Sequence, residues 1–173
     1  SETAYRQALR RNPDLGEAHQ YLGNLLGSQG HHDEAAECYR QALRIKPHSI
    51  PAHINLGNTL VIQGKIDEAL EIYRGALRID PENRKAALGI AHAYERRGDL
   101  EQAYAQLRPY LSQEKAGADS AMIFAAVCRP FGACDEAIAL MERLRAQEHP
   151  PLEAGERSTL YFRLGALYDA KDE

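Results

Sequence analysis

Residues 16–49 read GEAHQYLGNLLGSQGHHDEAAECYRQALRIKPHS, and residues 50–83 read IPAHINLGNTLVIQGKIDEALEIYRGALRIDPEN. The two stretches align without a gap, so that the pair Leu22–Gly23 returns 34 residues later as Leu56–Gly57. A fixed period of this length is typical of proteins built from stacked helical units. Each unit then buries its apolar face only against its neighbours. The sequence therefore predicts an all-α solenoid.

Glycine marks the same point of every unit, between two helical patterns. Gly30 follows an apolar stripe with helical spacing, and we expect it to end the first helix in the left-handed conformation. Asp33 and Glu34 come next, at the expected start of the second helix, where negative charge is favourable. The same glycine returns with the period at Gly64, Gly98 and Gly132. Each unit is thus predicted to be a helix, a tight turn and a second helix.

The period also predicts where the units begin and end. We expect full repeats at residues 16–49, 50–83 and 84–117, and a degenerate repeat at residues 118–151. Residues 1–15 are predicted to be the second helix of a preceding repeat, and residues 152–173 a linker and the first helix of a further one. The chain is therefore expected to be one solenoid fragment of a longer repeat protein.

The pattern weakens in the second half of the chain. Pro109 falls inside the expected second helix of the third unit, where proline removes a hydrogen bond and should kink the helix. The fourth unit keeps fewer of the pattern residues. We therefore predict a looser unit and a changed superhelical pitch across residues 109–157.

These residues resemble the tetratricopeptide repeat, whose pattern is W-x2-L-G-x2-Y, then A-x3-F, then P. His19 and His53 stand at the tryptophan position, and Leu26 and Leu60 stand at the tyrosine position. The resemblance implies a right-handed superhelix of antiparallel helix pairs. It also implies a concave side that binds a protein or peptide partner.

Composition argues against several classes of function. The net charge is −4, the charges are interspersed, and adjacent basic residues occur only as the doublets Arg10–Arg11, Arg84–Lys85 and Arg96–Arg97, so we do not expect nucleic-acid binding. No apolar run reaches the length of a membrane span. The three cysteines form no CxxC pair, which argues against a structural zinc site or a disulfide framework. Reduced cysteines favour a cytoplasmic location.

No set of catalytic residues is recognisable, so we expect a non-catalytic fragment without a metal or a cofactor. The sequence has no G-x-S-x-G elbow and no glycine-rich phosphate loop. The Asp–Glu pairs recur at the start of each second helix and are interpreted as helix-terminus charges. His19 and His53 are interpreted as packing residues, and His31–His32 as a solvated turn.

A stripe beside the core stripe of each first helix is the candidate binding groove. Asn24, Asn58 and His92 hold one equivalent position in successive units and form a predicted ladder of polar groups. Such groups can bind the main chain of an extended peptide, and apolar residues beside them can accept its side chains. The predicted groove residues are Gln20, Asn24, Ile54, Asn55, Asn58, Val61, Lys85, Leu88, His92, Glu95, Met122 and Arg129.

A sharper comparison is with the carboxylate clamp of tetratricopeptide-repeat co-chaperones. Asn24, Asn55 and Lys85 match the clamp, but Gln20 replaces its first lysine and Gly89 replaces its arginine. Two of three cationic contacts are missing, so charge-assisted binding of a carboxylate loses most of its strength. The sequence therefore does not predict a carboxylate clamp.

Two alternatives to a groove-binding module stay open. Residues 152–173, LEAGERSTLYFRLGALYDAKDE, resemble the junction before the catalytic part of bacterial repeat-containing sulfotransferases. That resemblance implies the N-terminal part of a larger enzyme. The second alternative is a scaffold that associates end to end through apolar faces at Tyr5 and Leu9, or at Leu164 and Tyr168.

Overall fold

The computed structural model describes residues 1–111, 117–146 and 154–171. All regular secondary structure in these ranges is helical, which confirms the predicted fold class. The α-helices are α1 Glu2–Arg11, α2 Gly16–Ser28, α3 His32–Ile45, α4 Ile50–Ile62, α5 Ile66–Ile79, α6 Arg84–Arg97, α7 Leu100–Leu107, α8 Ala118–Val127, α9 Cys134–Ala146 and α10 Ala154–Lys171.

The chain forms two compact units, Ser1–Ala93 and Tyr94–Glu173. In the first unit each helix packs against the next, α1 on α2, α2 on α3, α3 on α4 and α4 on α5. In the second unit α7 packs on α8, and α8, α9 and α10 pack on one another. Tyr104 of α7 stacks on Phe124 of α8 and on Phe131, with ring centroids 5.9 and 4.5 Å apart.

One turn recurs with the 34-residue period between successive helices, and glycine makes it possible. Gly30 has φ +83°, and its N–H donates to the carbonyl of Gly27 while the N–H of His31 donates to that of Leu26. This pair of hydrogen bonds is a Schellman motif, which satisfies two carbonyls at a helix end. Both bonds recur at the other three glycines, whose φ angles are also positive, namely Gly64, Gly98 and Gly132. The predicted left-handed glycines are confirmed.

In the core of the first unit, glycines face two buried tyrosines. Tyr39 lies against Gly23, where an added Cβ would come within 2.7 Å of the ring. Tyr73 is fully buried between Gly57 and Gly89, where an added Cβ would come within 2.5 Å of its ring from either glycine. Glycine is therefore required at these positions because no side chain fits beside the ring.

The second helix of the third repeat differs from the prediction. Instead of a kink at Pro109, helix α7 ends at Leu107 and a short 3-10 helix follows at Arg108–Tyr110. Since proline cannot donate a backbone hydrogen bond, the α-helix stops before it. Residues 112–116 and 147–153 lie outside the described ranges, and the change of pitch across residues 109–157 stays a prediction.

Candidate functional site

Two tyrosine–asparagine pairs connect the core of the first unit to its surface. The hydroxyl of Tyr39 donates to Oδ1 of Asn24 at 2.9 Å, and the hydroxyl of Tyr73 donates to Oδ1 of Asn58 at 2.6 Å. Each tyrosine follows its asparagine by 15 residues, so the contact recurs with the repeat. The tyrosine rings are buried whereas both asparagines are exposed. Each buried ring therefore holds an amide in place at the surface.

The hydrogen bonds decide which way each amide points. Oδ1 of Asn24 accepts a second hydrogen bond from Nδ2 of Asn55, at 2.8 Å. Because an amide has one oxygen and one NH2 group, fixing the oxygen leaves the NH2 group directed elsewhere. Asn24 and Asn58 thus present hydrogen-bond donors, and Asn55 presents its carbonyl oxygen.

Burial extends to higher pH the range in which the two tyrosines keep the proton that these contacts need. Loss of solvent around the ring raises the pKa of Tyr39 to about 12, and burial raises the pKa of Tyr73 still further. A phenol can donate a hydrogen bond only while it keeps its proton. Both pairs are therefore intact at neutral pH.

The three amides surround an open cavity of about 350 Å³ on the first unit. Ile62 borders the cavity and is 60% exposed, so an apolar side chain lies on the rim beside the polar amides. The Thr59 hydroxyl donates to the carbonyl of Asn55 and is occupied within its own helix. The lining residues are Asn24, Gly27, His32, Tyr39, Asn55, Asn58, Thr59 and Ile62.

Two residues predicted for the groove are in the core, and their assignment was wrong. Val61 is 2% exposed and Leu88 is 4% exposed. Val61 lies on helix α4, which packs against α2, α3 and α5, so the buried arc of this helix is wider than a single apolar stripe. Leu88 lies on helix α6, where its neighbours Ala86 and Ala87 are buried as well. A position beside the core stripe is therefore covered by a neighbouring helix.

The other predicted groove residues lie outside this cavity. Gln20 is half-buried, and its Oε1 accepts a hydrogen bond from the Ser49 hydroxyl at 3.2 Å. Met122 and Arg129 belong to the second unit, where Arg129 borders a different cavity. The cavity is likewise not lined by the remaining predicted residues, Ile54, Lys85, His92 and Glu95.

Sequence reasoning missed His32, Tyr39 and Thr59 as lining residues. Tyr39 lies on the apolar stripe of the second helix, which predicts a buried ring, but the stripe does not show that the hydroxyl reaches Asn24. A signal was present, because the Asn–Tyr pair recurs with the same spacing in two repeats and is replaced as a pair by His92 and Leu107 in the third.

The structure also explains why a carboxylate clamp cannot form at Gly89. An added Cβ there would meet the Tyr73 ring at 2.5 Å, so an arginine is excluded unless the ring moves. Asn24 and Asn55, which match the clamp pattern, bond to each other instead. The space beside position 89 is therefore filled by the Tyr73 ring.

Family comparisons agree with this geometry. Two models described as tetratricopeptide repeat match the chain, one at residues 16–49 and the other at residues 60–125. Together they cover more than half of it. The chain belongs to the tetratricopeptide repeat family. This fold suggests a protein–protein interaction module, and tetratricopeptide repeat proteins are generally non-catalytic.

Solved structures of tetratricopeptide repeat proteins are similar over nearly the whole chain. YrrB, described as a TPR protein with an unusual peptide-binding site, is 19% identical with a TM-score of 0.69, covering 99% of this chain and 86% of its own. TTC0263, a TPR protein of Thermus thermophilus, is 22% identical with a TM-score of 0.75, covering 94% and 88%. PilW, a type IV pilus biogenesis factor, is 22% identical with a TM-score of 0.74, covering 96% and 80%. These similarities establish the solenoid fold.

The chain has no match by sequence among curated proteins. The family and structure matches above give no support to the sulfotransferase resemblance of residues 152–173. In the part of the chain that the structure describes, no helix is both long and apolar enough to cross a membrane. Within the same described ranges, no group of three or more His, Cys, Asp or Glu side chains could hold a metal ion.

Proposed function

We propose that this tetratricopeptide repeat protein binds an extended segment of a partner protein on the face that carries Asn24, Asn55 and Asn58. The observation that supports the proposal most is the pair of buried tyrosine hydroxyls that hold the amides of Asn24 and Asn58. A preorganised donor binds more tightly than a mobile one because less side-chain freedom is lost on binding.

The recognised groups are main-chain carbonyls of the partner segment. Asn24 and Asn58 each offer an NH2 group, and an extended chain presents carbonyl acceptors along its length. Asn55 offers an oxygen that can accept a main-chain N–H. Binding of this kind tolerates many partner sequences, because the main chain is common to all of them.

Ile62 supplies the apolar contact beside the amides. Its side chain is 60% exposed, and it borders the cavity with Gly27 and His32. An apolar partner side chain placed there would lose contact with water, worth about 25 cal/mol for each Å² of apolar surface buried. The similarity to YrrB, which is described as having a peptide-binding site, adds support at the level of the fold.

The test uses substitutions that keep the size of each side chain, remove its NH2 donor and add one negative charge, a charge that the control variant below also carries. A peptide selected from a random-sequence library is titrated into the wild type and into the Asn24→Asp, Asn58→Asp double variant. Aspartate keeps the oxygen that accepts from tyrosine but replaces the donor with a second acceptor. We expect affinity to fall about 5- to 150-fold, since two hydrogen bonds of about 0.5–1.5 kcal/mol each are lost.

The matched control is Asn12→Asp. Asn12 is exposed and does not line the cavity, and its Oδ1 accepts a hydrogen bond from the N–H of Asp14, a role that aspartate can keep. This variant should bind the selected peptide like the wild type. Equal affinity of the double variant and the wild type, or failure of the library to yield any binder, would contradict the proposal.

Exposed aromatic residues on helix α10 favour a second candidate, self-association. Tyr161, Phe162 and Tyr168 are exposed, and Phe162 reaches 79%, whereas the predicted contact residue Leu164 is buried. If this helix binds another copy of the chain, Phe162→Ser should abolish the concentration-dependent increase in light scattering. A scattering intensity per unit mass that does not depend on wild-type concentration would contradict it.

A further inference from the structure

Two cysteines of the second unit lie side by side at the turn between α8 and α9. The Cys128 thiol donates to Sγ of Cys134, with the two sulfur atoms 3.3 Å apart. A disulfide has an S–S bond of about 2.05 Å, so the sulfurs would need to approach by little more than about 1 Å. Sequence patterns did not reveal this pair, because six positions separate the two residues and no CxxC motif is present.

The repeat turn explains why they meet. The carbonyl of Cys128 accepts hydrogen bonds from the N–H groups of Phe131 and Ala133, and Gly132 adopts φ +63°. This is the same Schellman turn as in the other repeats. In the repeat at residues 50–83 the equivalent positions are held by two apolar residues, Leu60 and Ile66. The turn that ends each of these helices therefore has thiols at two positions where the repeat at residues 50–83 has apolar side chains.

The two thiols differ in how a reagent can reach them. Cys128 is fully buried, and its pKa is raised to about 12 because burial and the neighbouring Cys134 disfavour the thiolate. Cys134 is half-buried and borders an open cavity of about 610 Å³, together with Arg129 and Phe162. A small oxidant therefore reaches Cys134 first.

We propose that Cys134 and Cys128 form an oxidation site that closes to a disulfide when the protein meets a peroxide. The Cys134 thiolate attacks one peroxide oxygen, the O–O bond breaks, and the products are a sulfenic acid and hydroxide, which takes up the released proton as water. The Cys128 sulfur then attacks the Cys134 sulfur, the S–O bond breaks, and the Cys128 proton leaves with the hydroxyl group as a second water. Two thiols are oxidised and one peroxide is reduced.

The buried thiol slows the closing step. The thiolate is the attacking species, and the raised pKa of Cys128 leaves little of it at neutral pH. The sulfenic acid on Cys134 is therefore the intermediate that a trapping reagent should detect. The closed disulfide ties the end of α8 to the start of α9 across a seven-residue loop, so it restricts the unfolded chain and raises the melting temperature.

The test treats the full chain with hydrogen peroxide, blocks the remaining thiols and maps the peptides by mass spectrometry. We expect a peptide linked through Cys128 and Cys134 that is about 2 Da lighter than the dithiol form, while Cys38 is recovered blocked. Dimedone added with the peroxide should label Cys134 and prevent closure. The oxidised protein should melt at a higher temperature than the reduced one.

Two variants keep the test decisive. In Cys128→Ala, dimedone labelling of Cys134 should rise because the resolving thiol is absent, and circular dichroism checks that the variant is folded. Cys38→Ser is the matched control and should leave the linkage unchanged, since Cys38 lies in the first unit. Preferential oxidation of Cys38, disulfides between chains instead of within them, or labelling of Cys128 before Cys134 would each overturn the proposal.

Discussion

At the scale of single residues, Tyr73 determines what its neighbours can be. Its ring is held between Gly57 and Gly89 from two successive repeats, and its hydroxyl reaches Asn58 at the surface. One residue thus joins the packing of the core to the orientation of a surface donor. An arginine at position 89, as in a carboxylate clamp, would require the Tyr73 ring to move.

A methyl group at position 89 should show how tight this packing is. Gly89→Ala is expected to lower the free energy of unfolding by about 1–3 kcal/mol, because the added Cβ meets the fully buried Tyr73 ring at 2.5 Å. Gly27→Ala is the control, since its added Cβ would lie 3.8 Å from its nearest neighbour. It should be neutral or stabilising by up to about 1 kcal/mol, as alanine favours a helix. Urea unfolding measures both, and equal effects would contradict the packing argument.

The same tyrosines should make stability fall at high pH. Burial raises the folded-state pKa of Tyr39 to about 12 and that of Tyr73 further, whereas an exposed tyrosine in the unfolded chain has a pKa of about 10. The unfolded state therefore loses protons first, so the stabilisation is complete below about pH 10 and is lost progressively from about pH 10 to 12 and above. Urea midpoints of the wild type should fall over this range. The urea midpoint of the Tyr39→Phe, Tyr73→Phe variant should fall less over the same range. Identical pH profiles of the two proteins would show that these tyrosines do not cause the loss of stability.

Some residue assignments could not be made from sequence. The ladder of Asn24, Asn58 and His92 follows from the period, and the first two of these residues line one cavity. The burial of Val61 and Leu88 does not follow from a helical wheel, which locates one apolar stripe, whereas α4 contacts three other helices and α6 is buried on both sides of its stripe. Which helix covers which position is decided by packing between repeats, and no single helix encodes it.

At the scale of the helix and its turn, the sequence was most informative. The four glycines predicted to end first helices all have positive φ, because the Schellman turn needs a residue without a Cβ penalty. The end of α7 was less predictable. Pro109 showed that a regular helix could not continue, but the choice between a kink and a helix end depends on the residues around it.

The turn at Gly64 offers a test of this element. Gly64→Ala should lower the free energy of unfolding by about 1–2 kcal/mol, because alanine is strained at φ +76° although no atom lies within 4 Å of its Cβ position. Gly64→Asn should cost less, since asparagine tolerates the left-handed conformation. Thermal melts of both variants give the comparison. An asparagine variant less stable than the alanine variant would contradict a conformational cause.

At the scale of the whole molecule, a repeated pattern explains most of the conspicuous residues as packing. The period of 34 residues predicted the fold class, the resemblance to the tetratricopeptide repeat pattern implied the family, and both are confirmed. The adjacent cysteines and the tyrosine-held amides were not predictable in the same way. Each depends on a contact between residues that the turn or the helix pair brings together.

The most direct test of the proposed binding face is nuclear magnetic resonance of the asparagine side-chain NH2 groups during titration with a selected peptide. If the amides of Asn24 and Asn58 donate to the partner main chain, their NH2 signals should shift as binding saturates. The signals of Asn12, which does not line the cavity, should stay in place. Saturated binding that leaves Asn24 and Asn58 unshifted, with changes confined to other parts of the chain, would contradict the proposed role of these amides.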